Sequence, residues 1–224
     1  MSLQIMIADD HPLFRKALRE TMAELANDIR FIECDSVGTL LAALEPHPDP
    51  DVLLLDLHMP HASGFAALAH LRGSRPTLPV VVVSALDDDE TIQNALAYGA
   101  QGFISKSADA CSMAADVARV LDGDICTPHS YRARTSGRPD PDDLQIAQRI
   151  GHLTAQQFRV LGMLCAGLSN KQIAHALEVS EATVKAHMTA ILRKLGVANR
   201  THAVLVAGKL AATQQTAVAQ DDDL

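Results

Sequence analysis

Short apolar runs alternate with amphipathic stretches through the first half of the chain. LQIMIA (3–8), IRFIEC (29–34), VLLLD (52–56), LPVVVVSA (78–85) and GFIS (102–105) carry too few polar positions for a strand with a wet face, so they read as buried strands. Helical spacing fills the intervals: Pro12 to Leu25, the region near 37–45, Gly64 to Leu71, Asp88 to Tyr98 and Ala108 to Leu121. Buried strands separated by helices predict an α/β fold, a doubly wound five-stranded parallel sheet. Such sheets gather their chemistry at the carboxyl ends of the strands.

The pattern then changes. From Asp122 to about Asp142 the chain is rich in Gly, Pro, Arg and Asp with neither period, which predicts a solvated linker, and a short helix in DLQIAQRI leads into the second half. The rest is all-α. Thr154 caps a helix carrying Phe158, Leu161, Cys165 and Leu168 on one face and ending near Gly167. Ser169 caps the next, with Ile173, Ala174 and Leu177 inside. After a turn at Glu178 and Val179, Ser180 caps a third helix with Val184, Met188, Ile191, Leu192 and Leu195 inward, closed by Gly196. Thr201 opens a last helix to about Ala211. The expected division is 1–122, a linker over 123–148, a small helix-turn-helix bundle over 149–212 and a polar tail over 213–224.

Composition adds one correction to a first impression. The net charge is −8 over 224 residues, which by itself argues against a nucleic-acid partner. The charge is unevenly placed: residues 1–124 hold 8 Lys/Arg against 19 Asp/Glu, whereas residues 151–212 hold 7 against 2. An acidic half is joined to a basic one. Four cysteines, Cys34, Cys111, Cys126 and Cys165, stand far apart, which excludes a C-x-x-C metal or redox motif and fits a reducing compartment. No apolar run approaches the roughly eighteen residues of a membrane span, and Asp9 and Asp10 interrupt the start before a signal peptide could form. A cytoplasmic protein with no membrane contact is expected.

Asp9 and Asp10 follow the first strand, Asp56 ends the third, Ser84 the fourth, and Lys106 follows the fifth. A doubly wound sheet brings these to one crevice, and three carboxylates crowded together repel unless a cation intervenes. Mg²⁺ fits, because it takes one or two carboxylates plus water and phosphate oxygens; Asp10 and Asp56 would hold it, with Asp9 helping through water. Beside such an ion and Lys106, the Asp56 carboxylate could attack phosphorus and form an aspartyl phosphate.

The residues DDHPLFR (9–15), DLHMPHASG (56–64), VVVVSA (80–85) and GAQGFISK (99–106) resemble the receiver domain of two-component response regulators, and DDHPLFR resembles the NarL/FixJ subfamily. The likeness covers residues 3 to about 122 and implies a flavodoxin-like sheet. It implies that Asp56 is the phosphoacceptor, that Asp10 binds Mg²⁺ directly beside Asp9, and that the backbone carbonyl of His58 completes the metal shell. Ser84 and Lys106 would engage the phosphoryl oxygens, and Phe103 would be the aromatic switch beside Ser84. The affected surface would be the fourth and fifth strands with the Asp88 to Tyr98 helix, available for dimerisation or for contact with the second domain. A metal pair of His58 and His61 is disfavoured because Pro60 between them prevents a shared helical face.

In the basic half, the helix capped by Ser180 carries Glu181, Lys185, Ala186, Thr189 and Arg193 opposite its apolar stripe, a face that fits a major groove. Residues 153–204, above all GLSNKQIA and TVKAHMTAILRKLGVANRT, resemble the LuxR-type DNA-binding domain. The resemblance puts Lys185, Ala186 and Thr189 at bases, Lys171, Lys194 and Arg200 on the backbone, and a dimerisation element after Thr201. Ser180, Thr183 and Arg193 complete the candidate DNA contacts. One departure stands out: where the family often has T-x-R-E-x-E, this chain has Thr154-Ala155-Gln156-Gln157-Phe158-Arg159. Those changes are expected to loosen an internal ion pair or alter partner contacts.

The combined reading is a DNA-binding transcriptional response regulator. A sensor histidine kinase phosphorylates Asp56 with Mg²⁺, and the homodimer binds double-stranded promoter DNA, with RNA polymerase a further partner. Enzymatic chemistry would be limited to self-phosphorylation and autodephosphorylation at Asp56. Opposite charges also suggest that the unphosphorylated receiver masks the reading helix. Three alternatives remain: a receiver not controlled by phosphorylation, a signalling adaptor, and an aspartyl-phosphate phosphatase. The last would want a second Asp two residues after its nucleophile, where this chain has His58.

Overall fold

In the computed structural model, which describes residues 2–59, 64–132 and 139–212, the backbone is described throughout and side chains through Leu210. The tail over 213–224, His61 and the middle of the linker lie outside the described residues. Strands β1 (Leu3–Ala8), β2 (Ile29–Cys34), β3 (Val52–Asp56), β4 (Val80–Ser84) and β5 (Gly102–Ser105) form one parallel sheet in the order β2-β1-β3-β4-β5. In register, Ala8 sits opposite Leu55, Asp56 opposite Val83, and Ser84 opposite Ser105, so the strands end together at one edge. β3, β4 and β5 are buried at every position, while the edge strand β2 is half-exposed.

Helices α1 (Pro12–Met22) and α5 (Ala110–Leu121) cover one face of the sheet. There Leu18, Met22, Met113 and Val117 close over Ile5, Ile7, Leu54, Val81 and Ile104. The other face carries α2 (Val37–Ala43), α3 (Phe65–Ser74) and α4 (Asp89–Ala97) over Met6, Leu53, Leu55 and Val82. α3 is unusual: every residue from Phe65 to Leu71 is buried, with no polar stripe. A helix apolar all round must be covered on all sides. The sheet covers one side of α3, and the second domain covers the other.

That domain consists of α6 (Pro141–Gly151), α7 (Ala155–Cys165), α8 (Asn170–Ala176), α9 (Glu181–Leu195) and α10 (Arg200–Ala212). Thr154 and Ser169 each close a capping box, Ser180 accepts from the Thr183 N–H, and Gly196 ends α9 in the left-handed conformation at φ 68°. α6 lies along α3, and the core of Phe158, Leu161, Ile173, Ile191 and Leu210 runs continuously into the sheet's α2–α4 side. α10 packs against α3 and α6 as well as α7 and α9.

Two sequence expectations change here. The linker is anchored at its start: Cys126 is fully buried, accepts from the Phe103 N–H at 3.0 Å and donates to the Gln101 carbonyl at 3.1 Å, covering the free edge of β5. The Arg132 N–H then reaches Asp89 Oδ1 at 3.1 Å. Backbone pairing at an exposed sheet edge stabilises a segment whose side chains show no period. The second domain also docks chiefly on α3 rather than on the β4–β5–α4 face.

Among the described residues no helix is long and apolar enough to cross a membrane. The four cysteines are free, and burial pushes the thiols of Cys34, Cys126 and Cys165 up to about 11.

Candidate functional site: a carboxylate pocket and a basic helix

The order β2-β1-β3 places the topological switch point between β1 and β3. Asp9 and Asp10 emerge there from β1, and Asp56 ends β3. Asp9 and Asp56 are buried, at 1% and 3% exposure, although both are carboxylates. Lys106, just past β5, compensates them: its Nζ lies 2.7 Å from Asp9 Oδ2 and 2.8 Å from Asp56 Oδ2. The Phe14 ring, 4.7 Å from Nζ, steadies the ammonium. Arg15 braces the turn by donating to the Asp9 carbonyl at 2.6 Å.

Asp56 is also held by His58, whose backbone N–H donates to Oδ1 at 3.1 Å. Burial pushes the Asp56 carboxyl upward, but the bonds from His58 and Lys106 outweigh it and hold the group below the usual carboxylate range. Against its own desolvation, the bonds of Lys106 to Asp56 and Asp9 raise its ammonium above the usual range. The Asp56 carboxylate is therefore held ionised and oriented. Ser84 is fully buried at the end of β4, its hydroxyl accepting from the Leu86 N–H at 3.1 Å. Phe103 is fully buried in the core on the α2–α4 side of the sheet.

The donor set fits a hard dication. Three carboxylates facing one ammonium leave an excess of two negative charges. Asp9 Oδ2 and Asp10 Oδ1 are buried, with only Lys106 Nζ at 2.7 Å from the first and His11 Nδ1 at 2.8 Å from the second among the described residues. Asp9, Asp10, His11 and Asp56 offer ligand atoms within 4.8 Å of one another. Sequence reasoning passed over His11. Its signal was adjacency to the Asp pair, obscured because a residue before Pro12 reads as a helix start.

In the second domain, Lys171, Ser180, Lys185, Ala186, Thr189 and Arg193 are exposed, and Thr183 is half-buried beside its cap. Among the described residues the receiver packs on other helices and leaves this face open, which departs from the expected masking. Lys194 and Arg200 are engaged inside the domain. Lys194 Nζ donates to the His152 carbonyl and to Gln157 Oε1, both at 2.8 Å. Arg200 donates to Asn170 Oδ1 at 3.3 Å and to the Leu168 carbonyl. Gln157 thus keeps a capping box and holds Lys194 by an ion–dipole bond, while Phe158 meets the receiver through His70.

A parallel sheet with a carboxylate cluster at its switch point, joined to a helix-turn-helix with an open basic face, defines a signalling module coupled to a DNA-binding module. The chain belongs to the response regulators with a LuxR-type DNA-binding domain. Residues 5–118 match the response regulator receiver domain, and residues 151–207 match the bacterial regulatory proteins of the luxR family.

The chain is 39% identical over 211 residues to the glycerol metabolism activator of Pseudomonas putida, covering 92% of this chain and 96% of that protein. It is 27% identical over 201 residues to the nitrate/nitrite response regulator protein NarL of Escherichia coli (strain K12), covering 90% and 93%. Among solved structures, a LuxR family DNA-binding response regulator from Silicibacter pomeroyi matches with a TM-score of 0.52 and 32% identity, over 58% of this chain and 99% of that one. The response regulator RcsB in complex with DNA shares the fold, with a TM-score of 0.52 and 21% identity over 92% and 98% of the two chains. Membership puts the chain among transcription regulators and sets aside the phosphatase alternative.

Proposed function

We propose that a sensor histidine kinase phosphorylates Asp56, and that the phosphorylated form dimerises and binds promoter DNA through α9. The carrying observation is the ionised, buried Asp56 carboxylate held between Lys106 and His58 at the switch point. Mg²⁺, bound by Asp10 and Asp56 with the His58 carbonyl, would neutralise the incoming phosphoryl oxygens. Asp56 Oδ attacks phosphorus in line, the new O–P bond forms as the donor's P–N bond breaks, and the leaving imidazole takes a proton. Lys106 pairs with the transferred group, and the Ser84 hydroxyl turns from the Leu86 N–H to donate to it.

The transferred group adds about 1.5 to 2 negative charges. Drawing Ser84 and Lys106 toward it disturbs the ends of β4 and β5 beside Phe103, whose backbone carries the buried start of the linker. Because α9 is open and α10 is packed on α3, docking restrains dimerisation through α10 rather than reading by α9. RNA polymerase would meet the DNA-bound dimer, and the surroundings of such a kinase–DNA pathway are the cytoplasm.

The test is selection of DNA from a random pool by the full chain, with and without Mg²⁺ and a small phosphoryl donor, alongside Asp56→Asn. Donor-dependent enrichment lost in Asp56→Asn is expected. Labelling that survives the substitution would remove Asp56 from the proposal, and equal enrichment in all arms would remove phosphorylation control.

A further inference from the structure

After α5 the chain does not leave the receiver at once. Residues 126–132 cross its surface as a strap held at both ends. At one end Cys126 pairs along β5, accepting from the Phe103 N–H at 3.0 Å and donating to the Gln101 carbonyl at 3.1 Å. At the other, Tyr131 packs partly buried on the α2–α4 side of the core, and the Arg132 N–H donates to Asp89 Oδ1 at 3.1 Å. A turn closed from the Tyr131 N–H to the Pro128 carbonyl at 3.0 Å shapes that end, and the Arg132 guanidinium braces it by donating to the His129 and Tyr131 carbonyls at 2.9 and 3.0 Å. The guanidinium is spent inside the strap, so the backbone N–H makes the contact with α4. The middle is loosely seated: a cleft of about 400 Å³, lined by Ala108, Ser112, Ala115, Pro128 and His129, lies between the strap and α5.

Asp89 opens α4, one residue past the cap Asp88, whose side chain accepts from the Thr91 N–H at 2.9 Å. That first turn is tied to the phosphoryl site by a short loop, because the Ser84 hydroxyl accepts from the Leu86 N–H at 3.1 Å three residues before Asp89. Turning Ser84 toward a phosphoryl group gives up this bond and frees the loop that sets where α4 starts. We propose that Asp89 is the catch of a latch: it holds the strap at Arg132 in the unphosphorylated chain, and a shift of the first turn of α4 on phosphorylation lets the strap go as far back as Cys126. The consequence is reach. From Arg132 to Pro141 the chain can span at most roughly 30 Å, and from Cys126 roughly 50 Å, so an open latch allows the second domain about 20 Å more distance from the receiver. The trigger rests on the reading of Asp56 as the phosphoacceptor, the catch rests on the contacts of Asp89, and the two are tested apart.

The test is hydrogen–deuterium exchange of the full chain, resolved to single amides, for the natural chain, Asp89→Ala, Asp89→Asn and Asp56→Asn. Each is measured with and without Mg²⁺ and a small phosphoryl donor, and intact mass counts the phosphoryl groups taken up. Without donor, the Arg132 amide should exchange on the order of five- to tenfold faster in Asp89→Ala than in the natural chain, the loss expected for one hydrogen bond. Asp89→Asn, which keeps Oδ1 as an acceptor, should restore the protection. Donor should bring Arg132 in the natural chain to the Asp89→Ala rate and leave Asp56→Asn unchanged. The Cys126 amide should stay protected in every arm, which a general loosening of the receiver would not allow. Equal Arg132 exchange in the natural chain and Asp89→Ala overturns the catch. Phosphorylated protein whose Arg132 amide is still protected overturns the trigger. Absence of phosphoryl mass overturns the reading of Asp56 and the trigger with it, while Asp89→Ala still decides the catch.

Discussion

The imidazole of His70 on α3 lies flat against the ring of Phe158 on α7, centroids 4.4 Å apart and planes 4° from parallel. This stack joins the receiver to the DNA-binding domain. His70 is 1% exposed and its Nδ1 has no hydrogen-bond partner. Burial pushes its pKa down to about 4, with a hydrogen bond to the Ile150 backbone opposing weakly. An undocked His70 on a free α3 regains an ordinary value near 6.5. Between about pH 6.5 and 4 the undocked state therefore binds more protons. Docking is fully stable above that window and weakens as pH falls through it, by up to about 3 kcal/mol. Small-angle scattering should show the radius of gyration growing on acidification from pH 7 to 5. His70→Phe, which keeps the stack without the titrating group, should flatten the response.

The same interface depends on two glycines. A Cβ added at Gly73 would meet the Gly151 Cα and carbonyl oxygen at 2.4 Å, a clash with backbone that no rotamer relieves. A Cβ at Gly151 would meet the Ala69 carbonyl oxygen and the Gly73 Cα at 3.1 Å, a milder contact that calls for a shift of a few tenths of an ångström. Gly73→Ala should therefore release the domains, at about 1 to 3 kcal/mol of docking, and Gly151→Ala should cost less. Scattering profiles of the two variants test the order. An extended Gly151→Ala beside a compact Gly73→Ala would reverse it.

Much of this was legible before the fold was known, for reasons that differ by element. β1, β2, β3 and β5 begin and end where the apolar runs do, because strands of a parallel sheet covered by helices on both faces tolerate few polar residues and turn residues bound them. Once five strands are placed, parallel topology brings their carboxyl ends together, so Asp9, Asp10, Asp56, Ser84 and Lys106 follow from position alone. The engagement of Lys194 and Arg200 was hidden, since a helical face does not reveal which carbonyl stands across from it. The domain docking was half visible. FAALAHL has no polar side, which requires a second cover for α3, but nothing in it names α6 as that cover. Phe158 stood out only as a departure from a family pattern, and its purpose lies in a contact with a residue of the other domain.

Among the described residues, Lys106 is the only Lys or Arg within ion-pair distance of both buried carboxylates. Removing it leaves Asp9 and Asp56 facing each other without the ammonium between them. Its side chain is 16% exposed, which softens the usual loss for a broken buried pair to about 2 to 3 kcal/mol at pH 7. Lys106→Met should lower the midpoint of thermal unfolding, and millimolar Mg²⁺ should recover part of the loss by binding the folded state. Acidification should shrink the difference between the two chains, because protonated carboxylates no longer repel. A Lys106→Met chain as stable as the natural one at pH 7 would show that the pocket needs no internal cation.

The basic residues of the second domain divide into two groups that salt dependence can separate. Lys185 and Arg193 are exposed on α9 and are proposed to meet DNA, so each Ala substitution should weaken binding. A residue that neutralises a phosphate contributes about 0.9 to the log–log salt slope, so Arg193→Ala should reduce the slope by about one unit across all sequences. Lys185→Ala should cost about 1 to 3 kcal/mol on a selected site and much less on random DNA, if Lys185 reads a base edge. Lys194 holds the His152 carbonyl and Gln157 Oε1, tying α9 to the start of α7. Lys194→Met should lower the unfolding midpoint of the domain and leave the salt slope within half a unit of the natural value. Anisotropy titrations between 50 and 200 mM salt, paired with thermal unfolding of each variant, make the comparison. A full unit lost from the slope in Lys194→Met, with stability unchanged, would return Lys194 to the DNA-contacting face and make its internal bonds incidental.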